Sequence, residues 1–443
     1  MPKPKKEDLK PCSIFVKIRP QASSGVTTDH DVDGEAVEKG IESFDAESVT
    51  LGTQLMLSKE STKYSYMKGV VRPEADQESA YDTMIPALIE NFVEGKAHSL
   101  FFAYGQSGTG KTHTMFGPNF EESLKIPEGG GLDPEWGVFP RVAHNALEQM
   151  KATGRKFTLT ASAVEFYLMG VFDLLDNKNM LLPDVYFEHK TYGEKVVPIT
   201  SIEDLVQFLS TAYTARTVAT TKLNAGSSRS HCALTLTLNQ LDEGDEKVTM
   251  TKFTLVDLAG AERLSKTGAL DGGVAPQEEL FKILMGEEPK SLAVTGLIIN
   301  MELMEIGKEA IKATDAHKKG RKYVPPKQLA TSAMQFVGSN FDATVDVGMV
   351  VCLSQAPQNG WETWFSLEFG KNLSELKVVL KKPKSVTLSK SLKEAKEKVK
   401  SCQAALDKTP KEGPSAKYRP RRTADVKVWE ARAFALEQVQ SLL

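Results

Sequence analysis

The sequence predicts an α/β fold, a central sheet with helices on both faces, and three observations carry that expectation. Residues 99–103 are a short apolar run that ends in a glycine-rich turn and passes into a helix-forming segment. Residues 252–256, KFTLV, are a second such run and deliver Asp257 at the strand's C-terminal end, the side on which open α/β sheets hold ligands. Residues 232–238, CALTLTL, alternate apolar side chains with Thr, as a strand with one buried face does.

The remaining elements follow in order. Residues 13–19, SIFVKIR, read as a first strand closed by Pro20, and residues 21–60 as hairpins and loops. A helix is predicted over 79–95, where Ile85, Leu88, Ile89 and Phe92 share a face and Pro86 requires a first turn or a kink. After an irregular stretch at 117–137, GVFPR (137–141) leads into another helix. Residues 157–167 read as a strand, 201–215 as a helix, 349–354 as a buried strand and 362–376 as the last helix of the globular part.

Beyond Pro383 the character changes. Leu388, Leu392, Ala395, Val399, Cys402 and Leu406 form a short a/d heptad, which suits either a coiled coil or a single helix packed on the main domain. Residues 408–423 read as a Pro- and Lys-rich linker and 424–443 as a final helix with Trp429, Ala433, Leu436 and Leu443 on one side.

A hydrophobic content of 41% over 443 residues suffices for one large domain or two smaller ones. The four cysteines, at 12, 232, 352 and 402, form no C-x-x-C pair, which points to reduced thiols in the cytoplasm. The N-terminus lacks an apolar core, and no apolar run is long enough for a membrane span, so neither a secretion signal nor a membrane partner is expected. The net charge of −3 is uneven: residues 371–432 hold 18 Lys and Arg against 7 Asp and Glu. The globular part is correspondingly acidic. The basic tail suits an acidic polymer or a solvated helix, and nucleic acid is not the expected partner.

Residues 105–112, GQSGTGKT, match G-x-x-x-x-G-K-[ST]. Gly105, Gly108 and Gly110 let the backbone turn its N–H groups onto anionic oxygens, with Gln106, Ser107 and Thr109 between them. Lys111 reaches the β/γ-phosphates and the Thr112 hydroxyl ligates Mg²⁺. A nucleotide hydrolase that senses its γ-phosphate also needs loops that meet that phosphate and the metal. NAGSSRSH (224–231) and DLAGAE (257–262) supply them. Ser227, Ser228 and Ser230 offer hydroxyls, Asp257 suits Mg²⁺ held through water, the Gly260 N–H can meet the γ-phosphate, and Arg229 can pair with Glu262 across the two loops.

Taken together, GQSGTGKTHTM, NAGSSRSH and DLAGAE resemble the three nucleotide elements of the kinesin motor domain. VKIRP (16–20), GVFPR, VEFYLMGVFDLL (164–175), RTVATTKLN (216–224), IINMELMEIGKEAI (298–311) and ETWFSLEFGKN (362–372) resemble further segments of it, from an adenine-side strand to a relay helix and a closing helix. The resemblance spans about 12–377. It implies a P-loop NTPase with a mixed sheet of about eight strands and three helices on each face, ATP and Mg²⁺ as cofactors, and microtubule-stimulated ATP hydrolysis at the cytoskeleton. By motif it places Lys17, Arg19, Pro20 and His113 at the adenine, Gly105 to Thr112 on the phosphates, and Asn224, Ser227 and Ser228 in the switch contacts. Thr112, Ser228 and Asp257 then serve the metal, while Arg229, Gly260 and Glu262 complete the hydrolytic closure. Arg263, Lys318, Lys319, Arg321, Lys322 and Lys327 are the filament-binding candidates.

The organisation expected is a basic extension at 1–11, a motor domain at 12–377, a neck-linker-like segment at 378–387, the heptad helix at 388–407, the linker and the final helix. Homo- or heterodimerisation through 388–407 is the accompanying expectation. Departures from the family cluster on the filament side. Thr267 and Asn300 lie 33 positions apart, and the stretch between them includes 270–291, where carboxylates outnumber Lys282 and Lys290. YVPPKQLA (323–330) replaces a longer basic loop. A non-motile relative that docks on microtubules is therefore the alternative to a stepping motor.

Overall fold

The computed structural model describes residues 9–20, 40–52, 61–117, 126, 131–168, 170–222, 229–244, 246–261, 292–325, 332–342, 344–356, 359–378 and 380–443. Its first half holds strands β1 (Lys10–Pro11), β2 (Ser13–Ile18), β3 (Ile41–Phe44), β4 (Val49–Leu51), β5 (Thr62–Tyr64) and β6 (Gly69–Val71). Helices α1 (Gln77–Met84) and α2 (Pro86–Val93) follow, then β7 (His98–Tyr104), α3 (Lys111–Met115), α4 (Val138–Thr153), β8 (Phe157–Tyr167), β9 (Gly170–Asp173) and β10 (Asn179–Leu181). Next come α5 (Pro183–His189), β11 (Val197–Pro198), α6 (Ile202–Lys222), β12 (His231–Leu241), β13 (Lys247–Asp257), α7 (Leu292–Lys318) and α8 (Ser332–Ser339). The chain ends with β14 (Val345–Leu353), α9 (Gly360–Ser374), β15 (Lys377–Val378), β16 (Val386–Thr387), α10 (Leu388–Asp407) and α11 (Arg419–Gln440).

Among the described residues the main sheet has eleven strands, more than the roughly eight expected, because the two-residue strands β11 and β16 also pair onto β8 and β13. Its path is β10-β9-β8-β12-β13-β7-β14-β2-β6, with β11 on β8 and β16 on β13. The β13-β7-β14-β2-β6 half is parallel and the β10-β9-β8-β12-β13 half antiparallel. All nine residues of β14 are buried, as expected of a parallel strand covered on both faces. Alternation sends Leu100, Phe102 and Tyr104 of β7 into one core with α7, α8 and α9, and Phe101 and Ala103 into the other with α1, α2, α4 and α6.

The helix predicted over 79–95 is two helices. Asp76 caps α1 by accepting from the Ser79 N–H at 2.8 Å, and Pro86 opens α2 at a position where its missing N–H costs nothing. The segment read as a linker is shorter than expected for a similar reason. Pro420 fits the first turn of α11, and the Arg419 guanidinium donates to the Thr409 and Leu406 carbonyls at 2.6 and 3.3 Å, tying the start of α11 to the end of α10.

The heptad face of α10 is covered by this chain itself. Leu388, Leu392 and Ala395 pack with Ala433, Leu436 and Val439 of α11 and with Leu241 and Val248 of the sheet. Of the two arrangements the heptad allowed, the structure has the helix packed on the main domain. β15 pairs with β1 and β16 with β13, so the intervening segment is pinned at both ends. Among the described residues, no helix is long and apolar enough to cross a membrane.

Candidate nucleotide site

Strand β7 stops at Tyr104, and the chain turns through Gly105 to Gly110 into α3. Gly105 has φ +150°, and a Cβ there would stand 2.4 Å from the Cys352 carbonyl oxygen on β14, so only glycine fits. Gly108 and Gly110 have φ of 77° and 93°, left-handed conformations that favour glycine. A Cβ added to Gly110 would meet nothing within 4 Å, so the loop leaves open space in front of it.

Gln106, Ser107, Thr109 and Lys111 are buried, and the Thr109 hydroxyl fixes the loop by donating to the Gln106 carbonyl at 2.8 Å. The Lys111 ammonium lies across the turn, donating to the Gly105 and Gln106 carbonyls at 2.9 and 2.8 Å. Arg19 donates to the Gly108 carbonyl at 2.5 Å and, with the exposed Pro20, flanks the loop at the end of β2. His113 takes the Gln77 side chain at 2.8 Å on its carbonyl and 3.1 Å on its ring. Burial, with help from the nearby Lys17 charge, holds the His113 imidazole down at about 4, so the ring is neutral. Burial also lowers the Lys17 ammonium.

Asp257 ends β13 directly beneath this loop. Its Oδ2 accepts from the Thr112 hydroxyl at 2.8 Å and from Arg216 Nη1 at 2.9 Å. Asp257 and Arg216 are 1% and 4% exposed, so this ion pair is fully desolvated. Arg216 also donates to the Ser230 carbonyl at 3.3 Å, and the Ser230 hydroxyl donates to Glu165 at 2.8 Å. Lys178 closes the chain of contacts on the other Glu165 oxygen. Arg216 and Glu165 belong to this site although no motif in the sequence points to them. The available signal was a charged residue at an otherwise apolar helix or strand position, which is costly unless paired.

The loop after β13 crosses the glycine turn, with the Leu258 N–H on the Ala103 carbonyl at 3.4 Å and the Ala261 N–H on the Gly105 carbonyl at 3.2 Å. Gly260 is buried between them. The Ala259 N–H donates to His231 Nδ1 at 2.9 Å, so the proton of this imidazole sits on Nε2, which donates to Glu302 of α7 at 2.9 Å. A single imidazole therefore joins this loop to the long helix.

Arg229 is half-buried, with Nη1 unpartnered among the described residues. Its expected partner Glu262 lies outside the described residues, as do Asn224, Ser227, Ser228, Arg263 and Lys327. Lys318, Lys319, Arg321 and Lys322 are exposed together at the C-terminal end of α7.

The residues present fit a magnesium nucleotide. Asp257 Oδ1 is buried without a hydrogen-bond partner among the described residues, beside a threonine hydroxyl and a positive-φ glycine turn. A carboxylate plus hydroxyl donor set is the oxygen chemistry that Mg²⁺ takes.

The kinesin motor domain family model matches residues 17–376. The chain belongs to the kinesin motor domain family. It is 29% identical over 313 residues to kinesin-like protein KIN-1 of Arabidopsis thaliana, covering 69% of this chain and 60% of that one. It is 31% identical over 349 residues to kinesin-like protein KIF13A of Mus musculus, covering 75% of this chain and 18% of that one. The chain thus spans less than two thirds of these kinesin relatives. A solved fast kinesin, described with implications for its ATPase mechanism and its interactions with microtubules, aligns with a TM-score of 0.62 at 19% identity. That alignment covers 85% of this chain and 94% of the other, and shows the kinesin motor fold.

Proposed function

We propose that this chain is a motor-type ATPase, working with ATP and Mg²⁺ at the cytoskeleton, in which hydrolysis is coupled to microtubule binding. The observation that carries this reading is the path from Thr112 through Asp257 and Ala259 to His231 and Glu302 on α7. It links the metal end of the glycine turn to the helix that bears the exposed cluster Lys318, Lys319, Arg321 and Lys322. Such a cluster attracts an acidic filament surface.

In this reading Gly105 to Gly110 cradle the phosphates, and Lys111 leaves its two carbonyls for phosphate oxygens. Thr112 holds the metal, with Asp257 behind it and Ser228 alongside. Mg²⁺, when bound, neutralises charge on the β- and γ-phosphate oxygens. Ser227, Arg229, Gly260 and Glu262 close over the nucleotide, with Asn224 in the same switch and Lys17, Arg19, Pro20 and His113 toward the base. No general base is required beyond a positioned water, because phosphoryl transfer depends mainly on placement and electrostatics. Arg263 and Lys327 extend the filament face. Residues 12–377 are the motor unit, and 388–443 its folded-back appendage.

A non-motile microtubule-docking role is the second reading. It is favoured by the burial of the heptad face of α10 within the chain and by the pinning of 377–387. Steady-state ATP turnover with and without microtubules, alongside Lys111→Ala, tests both. Wild-type turnover should rise with microtubules, and Lys111→Ala should lower it by about 100-fold or more, the scale of losing a group that stabilises transition-state charge. Negligible wild-type turnover with nucleotide still bound would end the motor reading and leave the docking one.

A further inference from the structure

The sheet face that carries α7 at one end is polar at the other. On β8 and β12, Val164, Phe166 and Ala233 pack in the α7 core, whereas farther along the same face stand Thr160, Ser162, Thr235, Thr237 and Asn239. Helix α11 roofs this polar half without filling it, leaving a cavity of about 380 Å³. Val428, Trp429, Phe434, Ala435 and Leu436 form an apolar roof.

The floor is rich in unused donors. The Ser162 and Thr237 hydroxyls have no partner among the described residues. His98 Nδ1 accepts the Lys252 N–H at 3.0 Å, which places the ring proton on Nε2, and that N–H has no partner among the described residues either. Burial holds the His98 imidazole down at about 4, so it stays neutral. The basic side chains around the cavity are Lys252, whose ammonium is lowered by burial and donates to the Lys190 carbonyl at 3.0 Å, together with Lys384 and Arg432, against one carboxylate. That carboxylate, Glu194, is already engaged by the Thr191 hydroxyl at 2.6 Å and the Tyr192 N–H at 2.8 Å. Arg432 sits 5.4 Å from the centroid of the Trp429 ring, beside the roof. The volume lies within the range of small-molecule sites, roughly 300–1,000 Å³.

We propose that this cavity binds an amphipathic organic anion, a carboxylate with an aliphatic body. The head group takes the Thr237 and His98 donors near Lys252, and the body lies across Ser162 under Trp429, Phe434 and Leu436. Occupancy ties α11 to the sheet. This site is separate from the nucleotide site and does not depend on the reading above.

The test uses the full chain with dodecanoate below its micelle concentration, followed by calorimetry and by Trp429 emission, with Trp429→Phe as the spectral control. Saturable one-to-one binding is expected, with dodecanol about tenfold weaker or worse, a loss of about 1.4 kcal/mol. Ser162→Leu fills the floor and should weaken dodecanoate at least tenfold. Thr237→Val removes a hydroxyl at constant shape, should weaken it several-fold, and serves if Ser162→Leu does not fold. No binding up to about 1 mM, equivalent to about −4 kcal/mol, overturns the proposal, as does equal affinity for the alcohol and the acid. Capture on anionic vesicles without binding of monomeric dodecanoate also overturns it, by placing the charge contact on the outer surface of α11.

Discussion

Strands β8, β12 and β13 have two ends with different partners. At one end Asp257, His231 and Glu165 are paired side chain to side chain with residues from distant elements. At the other, Val248 and Leu241 meet the C-terminal helices through apolar contacts beside a hollow with a polar floor. The nucleotide end is built from short-range geometry, in which a glycine turn and a strand end dictate where each group stands. The other end, where the helical hairpin of α10 and α11 packs, is fixed by the short β16–β13 pairing and otherwise mainly by apolar burial, which is tolerant of shape and blind to exact position. The two ends should therefore respond differently to damage.

The largest effect is expected at the nucleotide end. Arg216→Ala leaves the Asp257 carboxylate buried beside Thr112 without its cation, and should cost about 3–5 kcal/mol in denaturant unfolding. Arg216→Lys keeps the charge but not the fork that reaches both Asp257 and the Ser230 carbonyl, and should recover only part of the loss. If Arg216→Ala unfolds like wild type, the pair is not a structural keystone and the contrast between the two ends fails.

Damage at the hairpin should be comparable in size but confined. Leu392→Ala removes a side chain that is 5% exposed between α10, α11 and the sheet, and should cost about 2–4 kcal/mol locally. Because the hairpin shares no side chain with the glycine turn, protease sensitivity should appear in 388–443 before the main sheet melts, with nucleotide affinity unchanged. Loss of nucleotide affinity in Leu392→Ala would show that the two ends are coupled through the strands.

How much of this was legible in the sequence follows the same division. Gly105, Gly108, Gly110, Lys111, Thr112 and Asp257 came together where spacing placed them, because a tight turn has few solutions and a strand end has one position. The contacts of Arg216, Glu165 and Glu302 were not legible, since Asp257, Ser230 and His231, the partners that tie them to the site, lie 41, 65 and 71 positions away along the chain. The destination of the α10 heptad was undecidable for a related reason. Leucines at a/d spacing bury equally well against a second chain or against Leu241 and Val248, and only the course of α11 chooses. Pro420 read as a linker signal because proline is punctuation everywhere except in a helix's first turn, where it stands here.

The smallest expected effect is the most diagnostic of how the nucleotide end reaches α7. Glu302→Ala leaves the His231 Nε2–H buried without its acceptor, at a cost of about 1–3 kcal/mol. The ring can escape that cost by moving its proton to Nδ1, but it then no longer accepts from the Ala259 N–H, and the loop over the glycine turn loses its anchor. Glu302→Gln keeps a carbonyl oxygen facing Nε2–H and gives up only the charge, so it should fall between wild type and alanine. Amide exchange separates these outcomes without any filament. Binding of a non-hydrolysable ATP analogue should alter exchange in both 257–261 and α7 of the wild type. In Glu302→Ala it should alter 257–261 alone, and in Glu302→Gln both again. If α7 responds undiminished in Glu302→Ala, the signal does not pass through His231, and the two ends of the sheet communicate with α7 by packing rather than by this hydrogen bond.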